Sequence, residues 1–243
     1  MKMLTFASRN TKEILRDPLT LGFGLGFPVV LLLLLSAIQA NIPVSLFEIK
    51  QLAPGIAVFG LSFLTLFSAT LISKDRASAL LQRLYTTPLS PLDFILGYTL
   101  PILPIAVGQS VISFIFALIL GLDLSANLLL AVVLILPISL LFVALGLLFG
   151  SILNDKAVGG ICGALLTNLC AWLSGIWFDL ELVGGTFQKI AYALPFVHAV
   201  ELERAVFRQE YASILPHLAV VLLYAVVLLA LAVWLFVRQM KKQ

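Results

Sequence analysis

Few residues of this 243-residue chain have the type and spacing that chemistry requires. Gly159-Gly160-Ile161-Cys162-Gly163 is glycine-rich, but it lacks the lysine with which a phosphate-binding loop reaches its phosphates. The chain is therefore expected to hydrolyse no ATP by itself. Ser174-Gly175, with His217 further on, would suggest a membrane-embedded serine protease. Trp172-Leu173 precedes that serine, without the glycine two residues before it that makes a tight nucleophile turn. His198 and His217 give no zinc-ligand spacing. Cys162 and Cys170 fall within one apolar run, where cysteine is ordinarily a small packed residue. No catalytic residue, bound cofactor or metal is expected in this chain.

Three sets of polar residues remain. Residues 74–91, KDRASALLQRLYTTPLSP, form the longest charged interruption between apolar segments. Within them Ala77, Leu80, Leu81 and Leu84 recur at i, i+3, i+4 and i+7, one face of a short helix. Lys74, Arg76 and Arg83 make the segment basic, and Thr86-Thr87-Pro88 ends the pattern. Such a helix cannot bury its own apolar face; it needs lipid headgroups or a partner protein. The second set is Glu201, Arg204 and Arg208, which share a helical face at i, i+3 and i, i+4 spacings. They read either as a solvated ion pair at a membrane interface or as an external gate. The third set is Thr65, Ser68, Gln109, Ser110, Ser113, Thr167 and Asn168, polar residues inside apolar segments. Each suits an interhelical hydrogen bond, typically about 0.6 kcal/mol in membrane proteins. Thr65, Thr167 and Asn168 are also candidates to line a pathway.

The elements that would position these residues follow from hydropathy. The chain is 61% hydrophobic and 11% charged, where a soluble domain carries about 25% charged residues. Its mean hydropathy is +1.12. Charge-free runs at 94–122 and 124–154 exceed the roughly 20 residues that cross a hydrocarbon core. The expected fold is an all-α polytopic membrane protein, one domain over residues 1–243, with spans at 21–38, 52–73, 92–121, 126–151, 157–174 and 214–237. Residues 1–18 read as an interfacial amphipathic helix, with Lys2, Arg9, Glu13 and Arg16 opposite Met3, Leu4, Ala7, Ile14 and Leu15. Acids mixed among its bases, and Ala37 and Ala40 three residues apart, argue against a cleaved signal peptide. Ser90-Pro91-Leu92-Asp93 reads as a capped helix start, and Pro101 and Pro104 should kink span 3. Residues 176–213 are half polar. Gly184-Gly185 and Pro195 divide them into two external half-helices, too short to span but apolar enough to re-enter the outer leaflet.

Six spans put both termini on one side. That side holds eleven basic residues: Lys2, Arg9, Lys12, Arg16, Lys74, Arg76, Arg83, Lys156, Arg238, Lys241 and Lys242. The other holds four: Lys50, Lys189, Arg204 and Arg208. The positive-inside rule makes the termini and residues 74–88 cytoplasmic in a plasma or inner membrane. The same asymmetry accounts for the pI near 9.0, so nucleic acid is not an expected partner. With no charge deep in a predicted span, an ion-coupled transporter has no obvious ion site.

Together these motifs give the chain a resemblance, over nearly its full length, to the ABC-2 type permeases, membrane subunits of type V ABC exporters. The basic amphipathic N-terminus is one shared feature. Residues 74–91 are similar to the family's R-x-x-G-x-L-x-x-L-x-x-T-P-[LM] region, with Ser78–Ala79 where glycine is usual. LSGIWF at 173–178 and LPFVHAVELER at 194–204 are similar to its P-x-x-[HY]-x-x-x-x-x-R closing region, with Asp179 where a proline is common. The resemblance implies a permease that pairs with a second permease, identical or homologous, and with two ATPase subunits that bind ATP and Mg. It makes 74–88 a coupling helix, seated in the ATPase through Arg76, Ala77, Leu80, Leu81, Arg83 and Leu84. A path would open between spans 1, 2 and 5, near Thr65, Thr167 and Asn168, and Glu201, Arg204 and His198 would close its outer end. The implied cargo is a drug-like compound, a lipid or a lipid-linked glycan moved outward. A self-contained secondary transporter or channel is the alternative, and a non-transporting scaffold or sensor a third.

Overall fold

Six helices long and apolar enough to cross a membrane dominate the computed structural model, which describes residues 2–78 and 90–240. In chain order the elements are α1 (Lys2–Leu15), α2 (Gly22–Gln39), α3 (Ile49–Ala77), α4 (Pro91–Ile119), α5 (Asn127–Ile152) and α6 (Asp155–Leu173). The short helices α7 (Leu180–Val183), α8 (Gly185–Ala193) and α9 (Pro195–Arg208) follow, and α10 (Tyr211–Met240) closes the bundle. Among the described residues there is no strand, so the all-α, six-span fold expected from hydropathy is the fold observed. Leu80, Leu81, Arg83 and Leu84 of the expected coupling helix lie outside the described residues.

α3 is the axis. It packs against α2, α4, α5, α6 and α9, and its most apolar window is 89% buried, against 22% for α10. Its closest neighbour is α5, because α5 presents Gly146 and Gly150 to it. A Cβ at Gly150 would stand 2.8 Å from the Ala69 carbonyl oxygen, and one at Gly146 would collide with Ser68. Small residues let membrane helices approach backbone to backbone, where dispersion and hydrogen bonds replace the missing hydrophobic drive. α4 is interrupted between Thr99 and Leu103, where Pro101 and Pro104 remove backbone donors, whereas α5 runs unbroken through Pro137. Ser90 and Asp93 form the expected capping box at the start of α4.

Two departures from regular α-helix stand out. α2 begins with a π-helical segment, Gly22–Gly26, and α6 contains another, Gly159–Leu166. Both glycine-rich stretches pack on α3, and π segments concentrate at functional sites.

α1 docks on the first half of α4. Its buried face is Phe6, Ala7, Asn10 and Ile14, while Leu4 and Leu15 of the expected interfacial face are each 60% exposed. The helix thus has a side packed on protein and an exposed apolar side as well as a charged one. Phe6 lies edge-on to Tyr98, 4.9 Å between centroids, and Phe94 stacks on Phe236 of α10 at 3.7 Å. At the other end of the bundle residues 176–213 form three short helices where two were expected, a single turn (α7) preceding the break at Gly184.

Candidate functional site

The end of α3 leads directly into the expected coupling segment and is bonded to four other helices. α3 continues through Ala77, so Lys74, Asp75 and Arg76 extend the second span's helix beyond its expected end at residue 73. Asp75 is 1% exposed. It accepts from Arg9 of α1 at 2.7 Å and from the Tyr98 hydroxyl of α4 at 2.7 Å, so its charge is paired and hydrogen-bonded, the condition for burying a carboxylate. Arg76 turns inward, donating to the carbonyls of Gly150 at 2.8 Å and Leu153 at 3.2 Å. A guanidinium there satisfies the last carbonyls of α5 and complements its dipole. Ser73 donates to Asp155 at the start of α6 at 3.2 Å. Asn10 of α1 adds a bond to the Gly97 carbonyl at 3.0 Å. Of the expected ATPase contacts, Arg76 is thus engaged inside the bundle and Ala77 is exposed.

At the opposite end Glu201 accepts from both Arg204 and Arg208, at 3.0 Å each. The i, i+4 neighbours, Arg204 and Arg208, are like-charged, and the one carboxylate bridges them. Arg204 also donates to the Gly175 carbonyl at 3.0 Å and the Gln51 carbonyl at 3.3 Å, and Arg208 to the Gln51 side chain at 3.0 Å. The triad therefore ties α9 to the start of α3 and the turn after α6. Gly175 makes that turn with φ 71°, a conformation that favours glycine. These residues line a cavity of about 570 Å³ together with Ser45, Trp177 and Glu181. Because Arg204 is only 11% exposed, the cluster is a partly buried network and not a solvated surface pair.

His198 takes other partners. Its Nε2 lies 3.0 Å from the Tyr192 carbonyl, which can only accept, so that nitrogen carries the proton. Its Nδ1 meets His217 Nδ1 of α10 at 2.9 Å, accepting the bond when His198 is neutral. His198 joins α9 to α10 and is not bonded to Glu201 or Arg204.

The three expected path residues are not brought together. Thr65 is fully buried and donates to the Phe142 carbonyl of α5 at 2.8 Å, the interhelical bond that a buried hydroxyl needs. Thr167 bonds back to Cys162 O at 3.1 Å within α6. Asn168 is exposed on α6, and its amide donates to Ala164 O at 2.8 Å.

Sequence reasoning missed Asp75, Tyr98 and Glu203. Asp75 sits between two bases, which gave it the look of a loop residue, and its aromatic partner lies 23 residues away. Glu203 of α9 is fully buried with both carboxylate oxygens unpartnered among the described residues. Burial pushes its pKa well above the ordinary carboxylate range.

A model of one protein family, described as ABC-2 type transporter, matches residues 1–208. No curated protein and no solved structure matches the chain.

Proposed function

Because the chain belongs to the ABC-2 type transporter family, and is thus a multi-pass permease component of an ABC transporter, we propose that it exports an amphipathic compound under power from separate ATPase subunits. The observation that carries the coupling is the polar hub at the end of α3. Asp75, Arg76 and Ser73 bond α3 to α1, α4, α5 and α6 at the point where the chain enters residues 79–89. A displacement of that segment by an ATPase would be passed to all four helices at once, because charge-assisted bonds resist being broken separately.

In this reading the apolar face of Ala77, Leu80, Leu81 and Leu84, with Arg83 at its edge, seats in the ATPase groove. Arg76 serves it from within, by holding α5 to α3. Closure of two ATPases, each with ATP and Mg, rocks two permeases apart. The path opens beside α2, α3 and α6; the two π-helical segments that pack on α3 support this placement. Asn168 faces the path, while Thr65 and Thr167 hold its walls. The Glu201–Arg204–Arg208 network closes the outer end, and His198, bonded to His217, holds the same helix α9 to α10. The excess of basic residues on the α1 side supports cytoplasmic termini in a cell membrane. Drug-like compounds, lipids and lipid-linked glycans are the substrate classes, with the small external loops favouring a hydrophobic compound.

Co-purification tests the coupling. Changing Leu80→Asp with Leu81→Asp should lower retention of the ATPase by more than tenfold, since each buried leucine contributes roughly 1.5–3 kcal/mol. Unchanged retention with a folded permease would sink the assignment. Glu203 favours a second reading, a proton-carrying transporter that needs no ATPase, because a buried unpartnered carboxyl is a protonation site. Permease-only proteoliposomes under a pH gradient separate the two: export by the proposed mechanism is absent there, and the second reading requires it to persist.

A further inference from the structure

Between α1 and the second half of α3 lies an open-sided cavity of about 1180 Å³ that plays no part in the coupling described above. It exceeds the roughly 300–1,000 Å³ of ordinary small-molecule pockets. Its lining has two zones. Ile14, Phe67 and Leu71 form an apolar floor, each buried. Lys12, Arg16 and Lys74 form an exposed cationic rim. Arg9 and Glu13 also line the cavity but pair with each other at 2.6 Å, and Asp17 is the remaining acid. Among the described residues no ion pair involves Lys12, Arg16 or Lys74, and cations outnumber acids in the lining, four (Arg9, Lys12, Arg16 and Lys74) against two (Glu13 and Asp17).

Depth decides what this charge is for. Lys74 and Phe67 are seven residues apart on one helix, a rise of about 10 Å. The cavity therefore runs from the level of charged headgroups into the hydrocarbon layer. A soluble anion would satisfy the rim and leave the floor wet. A docked protein segment would meet the rim from the aqueous side without reaching Phe67. One molecule with an anionic head and a hydrocarbon tail satisfies both zones, and the exposed Leu4 on the α1 wall continues the apolar surface into the bilayer.

We propose that this cavity binds one anionic phospholipid of the leaflet in which α1 lies. Its phosphate sits among Lys12, Arg16 and Lys74, and an acyl chain lies along Phe67 and Leu71. The lipid fills the gap between α1 and α3 beside the Arg9–Asp75 pair and fixes the interfacial helix against the bundle. The site needs only a bilayer, so its failure and a failure of ATPase coupling are separately visible.

Native mass spectrometry of the full-length permease in neutral detergent, titrated with phosphatidylglycerol or phosphatidylcholine, tests it. One phosphatidylglycerol should be retained in preference to phosphatidylcholine, and millimolar inorganic phosphate should not displace it. Changing Lys12, Arg16 and Lys74 to Gln should weaken phosphatidylglycerol roughly fivefold per cation, the fold-change equivalent to about 1 kcal/mol for each base near an anionic lipid, and leave phosphatidylcholine unchanged. Thr70→Trp, at a partly exposed position on the cavity wall, should weaken both lipids with the cations intact. Equal retention of the two lipids, displacement by phosphate alone, or indifference to both sets of changes would overturn the site. So would charge variants that keep the lipid but lose the ATPase, which would make the rim a protein-docking surface.

Discussion

Glu201 and Glu203 are two residues apart on α9 and have opposite fates. Glu201 pairs with two guanidiniums, and its spacing to Arg204 and Arg208 was legible because all three lie on one helical face. Glu203 is enclosed with no donor among the described residues. Nothing local marks that difference, since α9 is buried by α3 and α5, which are distant in sequence, as well as by α10, which follows it. The consequence is a pH dependence of definite sign. In the folded chain the Glu203 carboxyl keeps its proton above the ordinary carboxylate range, whereas in the unfolded chain it loses it near pH 4.3 or so. The folded state then binds more protons, and stability falls as pH rises above that range, by at most about 1.4 kcal/mol per pH unit. Melting of the detergent-solubilised permease at pH 5 and pH 8 should show a lower midpoint at pH 8. Glu203→Gln should shrink that difference; an identical difference in the variant would mean the carboxyl is not held neutral.

Among the elements, the six spans and α1 were legible because hydropathy and amphipathic period are local properties. The end of α3 was not. Lys74, Asp75 and Arg76 read as the start of a separate coupling helix, yet they continue α3: Asp75 and Arg76 find partners on α1, α4 and α5, while Lys74 stays exposed. The same bonds explain why α1 is part of the bundle and not merely a float on the bilayer. Removing Arg9 would leave Asp75 buried with only the Tyr98 hydroxyl. Fully buried pairs lose about 3–5 kcal/mol when one partner is removed. Arg9 is 36% exposed, so Arg9→Met should cost less, on the order of 2–3 kcal/mol. Asp75→Leu added to Arg9→Met should recover much of this by removing the stranded charge. A melting-temperature cycle over the four proteins measures the coupling, and additive losses would show that the two residues act independently.

For the whole molecule, one chain offers a bilayer only part of a transporter. α3 is enclosed, and α6 presents Ala164, Asn168 and Trp172 outward, the last 52% exposed. The Asn168 amide nitrogen is used within α6, but its carbonyl oxygen would face hydrocarbon in a lone permease, an unfavourable place for a polar group. In the proposed paired transporter a second permease meeting this face would supply the missing partner, and the small Ala164 would permit close approach. That proposed arrangement would put the two copies of α6 side by side, with the π-helical segment Gly159–Leu166 of each near the seam and still packed on its own α3. Rocking the pair would then open the seam and draw on α3 from the hub at its other end. The placement has a direct consequence if the permease pairs with itself. Native Cys162 and Cys170 are buried and contribute little background, so Asn168→Cys provides one exposed thiol. A disulfide needs Cα atoms roughly 4.4–6.8 Å apart. Mild oxidation of membranes bearing this variant should convert most of the chain to a reducible species of twice the mass, whereas Leu223→Cys, exposed on α10, should not cross-link. Efficient cross-linking at α10 with none at α6 would place the seam on α10 and remove the path from the α2, α3 and α6 side.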